Sequence, residues 1–402
     1  MKIHKLLSKL HTVRSVSLTK RLISRIILRA HITTYILALC FVGGFNLVLA
    51  QESVVSTRAA ADGFLRQLTT AKHHGMGGSF VGSTAGADAL NSNPAGLTLI
   101  THRRFMAHIT RFSRTIAVIA KQNDAERYED YGQYEQYASG IELIHYIMPS
   151  RIGVIGFDIA FGHNGKFSRV NHLGQATGSF PQNHLAAGIG YGTPLFGGLA
   201  LGVDARWMRS KVEDAKNQAH IGHGYAYNLG LTQQLGPHFR IGAVLRNLSN
   251  GLSFSDDLIP DRIQRDIILG IAYHRQYEDL ELQVGLDLNP PFKSGLRTNL
   301  GGEVWYRGVI GGRIGYLRHT EQRSESIRIL TTESTEIEER LWKTEGVTLG
   351  LGVNIGWFNI NAAYTPRIKP VANDGEAIRI EQGVSVYSFS IGRNVAHHLR
   401  DR

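Results

Sequence analysis

Residues 280–288 read LELQVGLDL, and this stretch decides the fold class. Leucine or valine stands at every second position, and the residues between them are polar or small: Glu281, Gln283, Gly285 and Asp287. Because successive side chains of a β-strand point to opposite faces, such a strand has one apolar face. The same alternation occurs in residues 239–246 and 347–355. The pattern predicts an all-β protein.

Fourteen segments with strand-like patterning follow residue 102. Most are about 9 to 15 residues long, which matches strands that cross a bilayer at a tilt and exceeds the five or six residues usual in soluble sheets. The predicted strands are residues 104–121, 139–148, 151–163, 183–193, 198–212, 223–235, 239–249, 264–276, 280–289, 297–307, 309–320, 346–356, 358–366 and 384–393.

The connections between these segments alternate between short and long. Pro149–Ser150 is short, whereas residues 122–138 and 321–345 are long. Transmembrane barrels combine short periplasmic turns with long extracellular loops and have an even number of strands. We therefore predict a transmembrane outer-membrane antiparallel β-barrel of about 14 strands at residues 102–393, followed by a C-terminal tail at 394–402. A soluble β-sandwich or solenoid is the alternative, although its strands would normally be shorter.

The predicted barrel also explains why several inward positions are glycine. Gly285, Gly301, Gly350 and Gly352 fall on inward faces, where they would relieve crowding in the lumen and permit curvature.

The positive charge is concentrated at the amino terminus. The 402 residues include 44 Lys and Arg against 33 Asp and Glu, a formal net charge of +11. Eight of the basic residues and none of the acidic ones lie in the first 50 positions, which leaves 36 basic against 33 acidic residues after them. Because the excess charge belongs to one end of the chain, we expect no nucleic-acid partner.

That end has the features of a secretory signal. A basic region extends to Arg29, the apolar run Tyr35–Phe45 follows, and small residues precede Gln51. Residues 1–50 are therefore predicted to be a cleaved signal peptide, and the mature protein to reside in the bacterial outer membrane among its lipids. A permanent membrane anchor is the alternative. The single cysteine, Cys40, excludes a disulfide scaffold.

A glycine-rich segment precedes the first predicted strand. Residues 75–97 read GMGGSFVGSTAGADALNSNPAGL, and residues 241–248 read IGAVLRNL. Both segments resemble sequences of the PorV/PorQ-like outer-membrane proteins, and the first is more distantly similar to the FadL-type long-chain fatty acid transporters. These families place a Gly-rich stretch, a short Ala/Asp segment and an Asn-Pro-Ala-Gly turn before the barrel. The resemblance implies an N-terminal periplasmic or plug segment at residues 51–101.

The resemblance to FadL-type proteins also implies that this segment is a hatch inside the barrel. The candidate plug residues are Gly75, Gly77, Gly78, Asp88, Asn93, Pro94 and Gly96. A plain turn is the alternative for the Asn-Pro-Ala-Gly sequence, because asparagine starts turns, proline fixes φ and glycine accepts positive φ.

Two functions follow from the resemblance. PorV/PorQ-like proteins imply a non-enzymatic barrel in type IX protein secretion or surface attachment, with secretion-system subunits or exported cargo as partners. FadL-type proteins imply passive transport of hydrophobic small molecules such as long-chain fatty acids. A lipid conduit needs an apolar pocket in the lumen. Strand alternation places four charged residues inward, which argues against a wholly apolar channel: Arg240, Arg246, Glu303 and Arg307.

A tyrosine series lies in the predicted loop 122–138. Tyr128, Tyr131, Tyr134 and Tyr137 recur at intervals of three, a spacing that would align the rings on one face of a short helix. Aromatic residues dominate interaction hot spots, so this loop is a candidate partner contact. A solvated loop is the alternative.

The chain has no recognisable catalytic, cofactor or metal motif. Phe80 occupies the last glycine position of a G-x-G-x-x-G pattern, and no Gly-Lys-Ser/Thr follows. The histidines lack metal-ligand spacing, and no G-x-S-x-G sequence is present. We therefore expect no enzyme activity and no cofactor.

Overall fold

The computed structural model describes residues 64–65, 68–83, 86–121, 128–170, 176–213, 219–254, 263, 265–290, 296–327, 336–368 and 378–395. The predicted signal peptide, the central parts of the long connections and most of the predicted C-terminal tail lie outside these residues.

Fourteen strands form one closed antiparallel barrel. Each strand pairs with its neighbour in the sequence, and β1 pairs with β14 to complete the closure. The strands are β1 (Arg103–Lys121), β2 (Tyr128–Pro149), β3 (Val154–Val170), β4 (Ala176–Pro194), β5 (Leu199–Glu213), β6 (Ala219–Leu235), β7 (Phe239–Phe254), β8 (Asp266–Tyr277), β9 (Leu280–Asn289), β10 (Arg297–Tyr306), β11 (Ile310–Ile327), β12 (Glu336–Ile355), β13 (Phe358–Ile368) and β14 (Ile378–Val395). The predicted fold class is confirmed.

Several strands extend further than predicted at the long-connection end. β2 begins at Tyr128, and the β11–β12 pairing continues to Ile327 opposite Glu336. The sequence in these regions is polar, so it lacks the alternation from which the strands were predicted. Backbone pairing does not require an apolar face, and the hairpins therefore continue beyond the patterned region.

The two faces of the wall differ as the alternation predicts. Leu300 and Val304 point outward and are 45% and 42% exposed, whereas Glu303 points inward and is 2% exposed. An outward band of exposed apolar side chains is typical of barrels that cross a bilayer. Within the described residues, no helix has the length and apolarity to cross a membrane.

Within residues 68–100, three short helices precede β1: α1 (Ala71–Gly75), α2 (Ala89–Ser92) and a 3₁₀-helix (Pro94–Leu99). Thr70 caps α1 by accepting from the backbone N–H of His73 at 3.3 Å. Asn93 caps the 3₁₀-helix by accepting from the N–H of Ala95 at 3.2 Å. These helices are too short to be stable alone, so their contacts with the barrel hold them.

The described residues before β1, here called the N-terminal segment, lie against the inner wall. A belt of inward glycines, one on each strand from β3 to β12, faces this segment: Gly156, Gly190, Gly202, Gly230, Gly242, Gly270, Gly285, Gly301, Gly315 and Gly350. A Cβ atom on Gly202 would lie 2.1 Å from the backbone nitrogen of Ala95. Such an atom on Gly301 would lie 2.3 Å from the carbonyl oxygen of Met76. Backbone therefore packs directly against backbone.

The belt changes the explanation of the inward glycines. Gly285, Gly301 and Gly350 face inward as predicted, but they make room for the N-terminal segment rather than for an open lumen. Gly352 faces the side chains of Trp305 and Arg313 instead.

Candidate functional site

The candidate site is the interface between the N-terminal segment and the inner wall. Most of the polar contacts that cross it fall into three sets, which we name the ionic tether, the turn tether and the amide tether; Thr348 of β12 also donates to the carbonyl of Gly75 at 3.1 Å. A cluster of buried apolar side chains, which we call the apolar chamber, adjoins them.

The ionic tether joins α1 to β10 and β11. Nζ of Lys72 lies 2.8 Å from Oε2 of Glu303, and a guanidinium nitrogen of Arg313 lies 3.0 Å from Oε1 of the same carboxylate. Trp305 also donates its indole N–H to Glu303, and the guanidinium of Arg313 lies over the Trp305 ring. The Glu303 and Arg313 side chains are 2% and 1% exposed. One buried carboxylate thus compensates two cations.

The turn tether holds residues 78–83. The backbone N–H groups of Phe80 and Val81 both donate to Oδ2 of Asp287, at 2.5 and 2.8 Å. Gln283 donates to the carbonyl of Ser83 at 2.9 Å, and Asn299 donates to the carbonyl of Gly78 at 3.1 Å. The wall side chains therefore satisfy backbone groups of a turn that has no regular secondary structure of its own.

An Asp287→Ala variant is expected to loosen this turn. It leaves the buried N–H groups of Phe80 and Val81 without their acceptor, which costs about 1–3 kcal/mol for each group. Hydrogen–deuterium exchange of residues 79–83 should accelerate. Asp279→Ala is the control, because Asp279 lies in the β8–β9 turn and its side chain is 51% exposed. Equal exchange rates of residues 79–83 in Asp287→Ala and Asp279→Ala would show that the Asp287 carboxylate does not hold this turn.

The amide tether involves two asparagines of the segment. Nδ2 of Asn91 lies 2.9 Å from Nε2 of His145, and Oδ1 of Asn91 accepts from Arg206. Nδ2 of Asn93 donates to the carbonyls of Val81 at 3.0 Å and Leu231 at 3.1 Å. Asn93 thus links two parts of the segment to each other and to β6.

The segment also carries titratable groups of its own. His73 stacks on Phe80 with ring centroids 4.6 Å apart, and Nε2 of His74 lies 2.8 Å from Oγ1 of Thr69. Burial lowers the pKa of His74 to about 4. Burial also raises the pKa of Asp88, against the opposing effects of a Thr70 hydrogen bond and the charge of Lys72. Both shifts disfavour charge on the segment.

The apolar chamber lies on the long-connection side of the tethers. Gly156 of β3 contacts Leu90, whereas Gly162, six residues farther from the short β2–β3 turn, faces the ring of Phe64. The Phe64 ring also stacks on His184 at 5.2 Å. The chamber consists of Phe64, Leu65, Leu68, Phe112, Ile141, Leu143, Ala160, Ala186, Met208, Ala226, Leu252, Phe254, Ile263 and Val386.

The candidate plug residues lie in this interface. Asp88 and Asn93 are 4% and 0% exposed, and Gly75 approaches Gly350 of β12. Gly77 and Gly78 have φ of 62° and 80°, a conformation that glycine adopts without strain. Pro94 and Gly96 are buried in the 3₁₀-helix.

Three of the four candidate lumen residues are on the inner wall. Glu303 belongs to the ionic tether, and half-buried Arg246 exerts its charge on His73. Half-buried Arg240 donates to Oε1 of Gln234 at 3.1 Å and lines a cavity of about 200 Å³ that also borders Ser83 of the segment.

The prediction for Arg307 is wrong. This residue follows the end of β10 at Tyr306, lies in the β10–β11 turn with φ of 51°, and has a side chain that is 62% exposed. It pairs with Asp279 at 3.0 Å, away from the lumen. Strand alternation stops at Tyr306, so it does not determine the direction of the next side chain.

The tyrosines are not in a loop or a helix. Tyr128, Tyr131, Tyr134 and Tyr137 all belong to β2, and their side chains lie outside the described part of the structure. A spacing of three aligns residues on a helix but not on a strand, whose period is two. Their role as partner contacts stays a prediction.

Sequence reasoning did not find the wall residues of the tethers other than Glu303. The inward position of Asp287 was visible in the alternation of β9, but its partners are backbone groups about 200 residues away in the chain. No local pattern indicates His145, Arg206 or Arg313. Across the part of the chain that the structure describes, no three His, Cys, Asp or Glu residues converge as a metal site.

No protein-family model matches this chain, and a search of curated proteins finds no match. Solved structures do match. The toluene transporter TodX of P. putida is 15% identical, with a TM-score of 0.55 over 82% of this chain and 99% of that one. The fold is that of the FadL-type barrels. A Pseudomonas aeruginosa FadL homologue is 11% identical, with a TM-score of 0.53 over 81% of this chain and 98% of that one. The monoaromatic hydrocarbon channel CymD is 13% identical, with a TM-score of 0.55 over 83% and 99%.

Proposed function

We propose that this protein is an outer-membrane barrel that admits hydrophobic small molecules, and that the N-terminal segment is its plug. The observation that carries the proposal is the apolar chamber inside the barrel. Its wall residues come from eight adjacent strands, β14 and β1 to β7. Such a chamber is the feature that distinguishes a hydrophobic conduit from a barrel that serves only as a docking platform.

The chamber is filled by the chain's own side chains. Phe64, Leu65 and Leu68 are 4%, 3% and 0% exposed within it. An apolar molecule could replace these side chains without exposing the wall to water, since one apolar occupant exchanges for another. TodX is a toluene transporter and CymD a monoaromatic hydrocarbon channel, and from the shared fold we infer the same class of substrate for this chain.

The charged wall residues do not oppose this function. The ionic and turn tethers use β9 to β11, on the side of the barrel away from the chamber strands. Arg206 of β5 and Asp158 of β3 lie on chamber strands, but they pair at 2.5 Å, so their charges compensate each other. The role in type IX secretion stays a prediction from the resemblance, because no contact of the described residues favours it.

Binding of a hydrophobic probe tests the proposal. The purified full protein, in detergent, is expected to bind radiolabelled toluene or oleate saturably. Met208→Glu should weaken binding at least about tenfold, because it introduces a charge into a chamber position that is 2% exposed. Arg307→Gln, in the exposed turn, should bind as the wild type does. Saturable binding that Met208→Glu leaves unchanged would refute the chamber as the site, and absence of binding would refute the transport function.

A further inference from the structure

The side-chain amide of Asn91 lies between two wall residues, one that donates a hydrogen bond to it and one that accepts a hydrogen bond from it. Its oxygen accepts from Arg206, which also pairs with Asp158 at 2.5 Å. Its nitrogen faces Nε2 of His145 at 2.9 Å. Asn91, Arg206 and His145 are 4%, 5% and 0% exposed, so water does not replace these contacts.

The donors and acceptors fix the protons on two histidines. A guanidinium only donates, so Asn91 must present its oxygen to Arg206 and its NH₂ group to His145. Nε2 of His145 therefore accepts, and the proton of neutral His145 is on Nδ1. That atom lies 3.1 Å from Nε2 of His108, which accepts in turn. The direction of donation runs from Arg206 through Asn91 and His145 to His108.

Titratable and charged groups from several elements surround this chain of hydrogen bonds. They are His74 and Asp88 of the segment, Arg104 and His108 of β1, Asp158 of β3, and Asp204 and Arg206 of β5. Asp158 forms an ion pair with Arg206, and Asp204 accepts a hydrogen bond from Asn228 at 2.7 Å. Among the described residues, no carboxylate lies within ion-pair distance of His145.

A second proton on His145 cannot be accommodated in this arrangement. The new N–H on Nε2 would face the NH₂ group of Asn91, so two donors would oppose each other. Rotation of the amide would give His145 an acceptor, but it would then set the NH₂ group against Arg206. Either outcome removes a buried hydrogen bond between the segment and the wall and leaves a donor unsatisfied.

We propose that Asn91 and His145 form an acid-sensitive latch, which releases residues 88–97 from the wall when His145 takes up a proton. The latch requires only that the segment is docked in the barrel, so it does not rest on the nature of the transported molecule.

Hydrogen–deuterium exchange of the full protein in detergent tests the latch. Protection of residues 88–97 is measured from pH 7.5 to 4.5 and corrected for the intrinsic exchange rate. If release of the segment is coupled to uptake of one proton, the equilibrium between docked and released segment changes by at most about tenfold per pH unit. We expect the protection of these residues in the wild type to fall as the pH falls. In His145→Gln, the slope of log protection against pH should decrease by up to one proton. The glutamine amide can still accept from Asn91 but does not titrate.

Two controls and a second variant make the test specific. His184→Gln and His74→Gln should keep the wild-type contribution of His145, because His184 hydrogen bonds to Ser210 of the wall and His74 to Thr69. Asn91→Asp should reduce or reverse the slope, since a carboxylate accepts from both Arg206 and protonated His145. If the segment of His145→Gln does not dock at pH 7.5, the Asn91→Asp variant takes its place as the test. Identical slopes in the wild type and in the docked His145→Gln or Asn91→Asp protein would overturn the proposal.

Discussion

Glu303→Gln is expected to detach α1 from the wall while the barrel stays closed. The variant leaves the cations of Lys72 and Arg313 without a compensating charge, at sites where the Lys72 and Arg313 side chains are 18% and 1% exposed. Removing one partner from a buried ion pair typically costs about 3–5 kcal/mol. The strand pairing of β10 is made by backbone groups, so we do not expect the barrel itself to open.

Exchange and conductance together measure this effect. Hydrogen–deuterium exchange of residues 71–78 should accelerate, and the conductance of the protein in planar bilayers should rise if these residues obstruct the lumen. Heat-modifiable gel mobility reports that the barrel remains folded. Arg307→Gln is the matched control, because its pair with Asp279 is exposed and contributes below about 1 kcal/mol. A Glu303→Gln protein with wild-type exchange would show that the ion pair does not hold α1.

Gly202→Val is expected to prevent the 3₁₀-helix from docking. The added Cβ would lie 2.1 Å from the backbone nitrogen of Ala95, and backbone cannot rotate away as a flexible side chain could. Overpacking in cores typically costs about 1–3 kcal/mol, and we expect this site to reach or exceed the upper value because both surfaces are backbone.

Permeability to small solutes gives the clearest measurement of this variant. Liposomes that contain Gly202→Val should swell faster in isotonic sugar than liposomes with the wild type, if the displaced segment leaves a pore. Gly312→Val is the control, since Gly312 is an exposed residue of β11 with no atom within 4 Å of its Cβ position. Equal swelling with both variants, together with unchanged exchange of residues 93–99, would contradict the role assigned to the glycine belt.

The tethers and the belt suggest how docking and release are balanced. The belt lets the backbone of the segment approach the wall closely, and Leu90 and Leu97 add side-chain packing against wall residues such as Ile147. Specificity then comes from a small number of polar contacts, chiefly those of Glu303, Asp287 and Asn91. Because each is buried, losing one has a large effect.

Residue patterning alone was enough to predict the fold class and the direction of most wall side chains. Alternation with period two, as in residues 280–288, fixes which side chains share a face, because strand geometry leaves no other arrangement. It therefore gave the strand number and the inward positions of Arg240, Arg246 and Glu303. It failed where the period ended, at Arg307, and where polar strands carry no period, at Tyr128 to Tyr137.

The roles of the inward residues depend on contacts that form only in the closed barrel. Asp287 accepts from Phe80, Glu303 pairs with Lys72, and Gly301 faces Met76, although about 200 residues or more separate the partners in each pair. Contacts at such distances depend on how the closed barrel encloses the N-terminal segment and on the height of each residue along its strand. Local propensity contains neither quantity. The sequence could place a glycine or a carboxylate on the inner face, but closure of the sheet determined its partner.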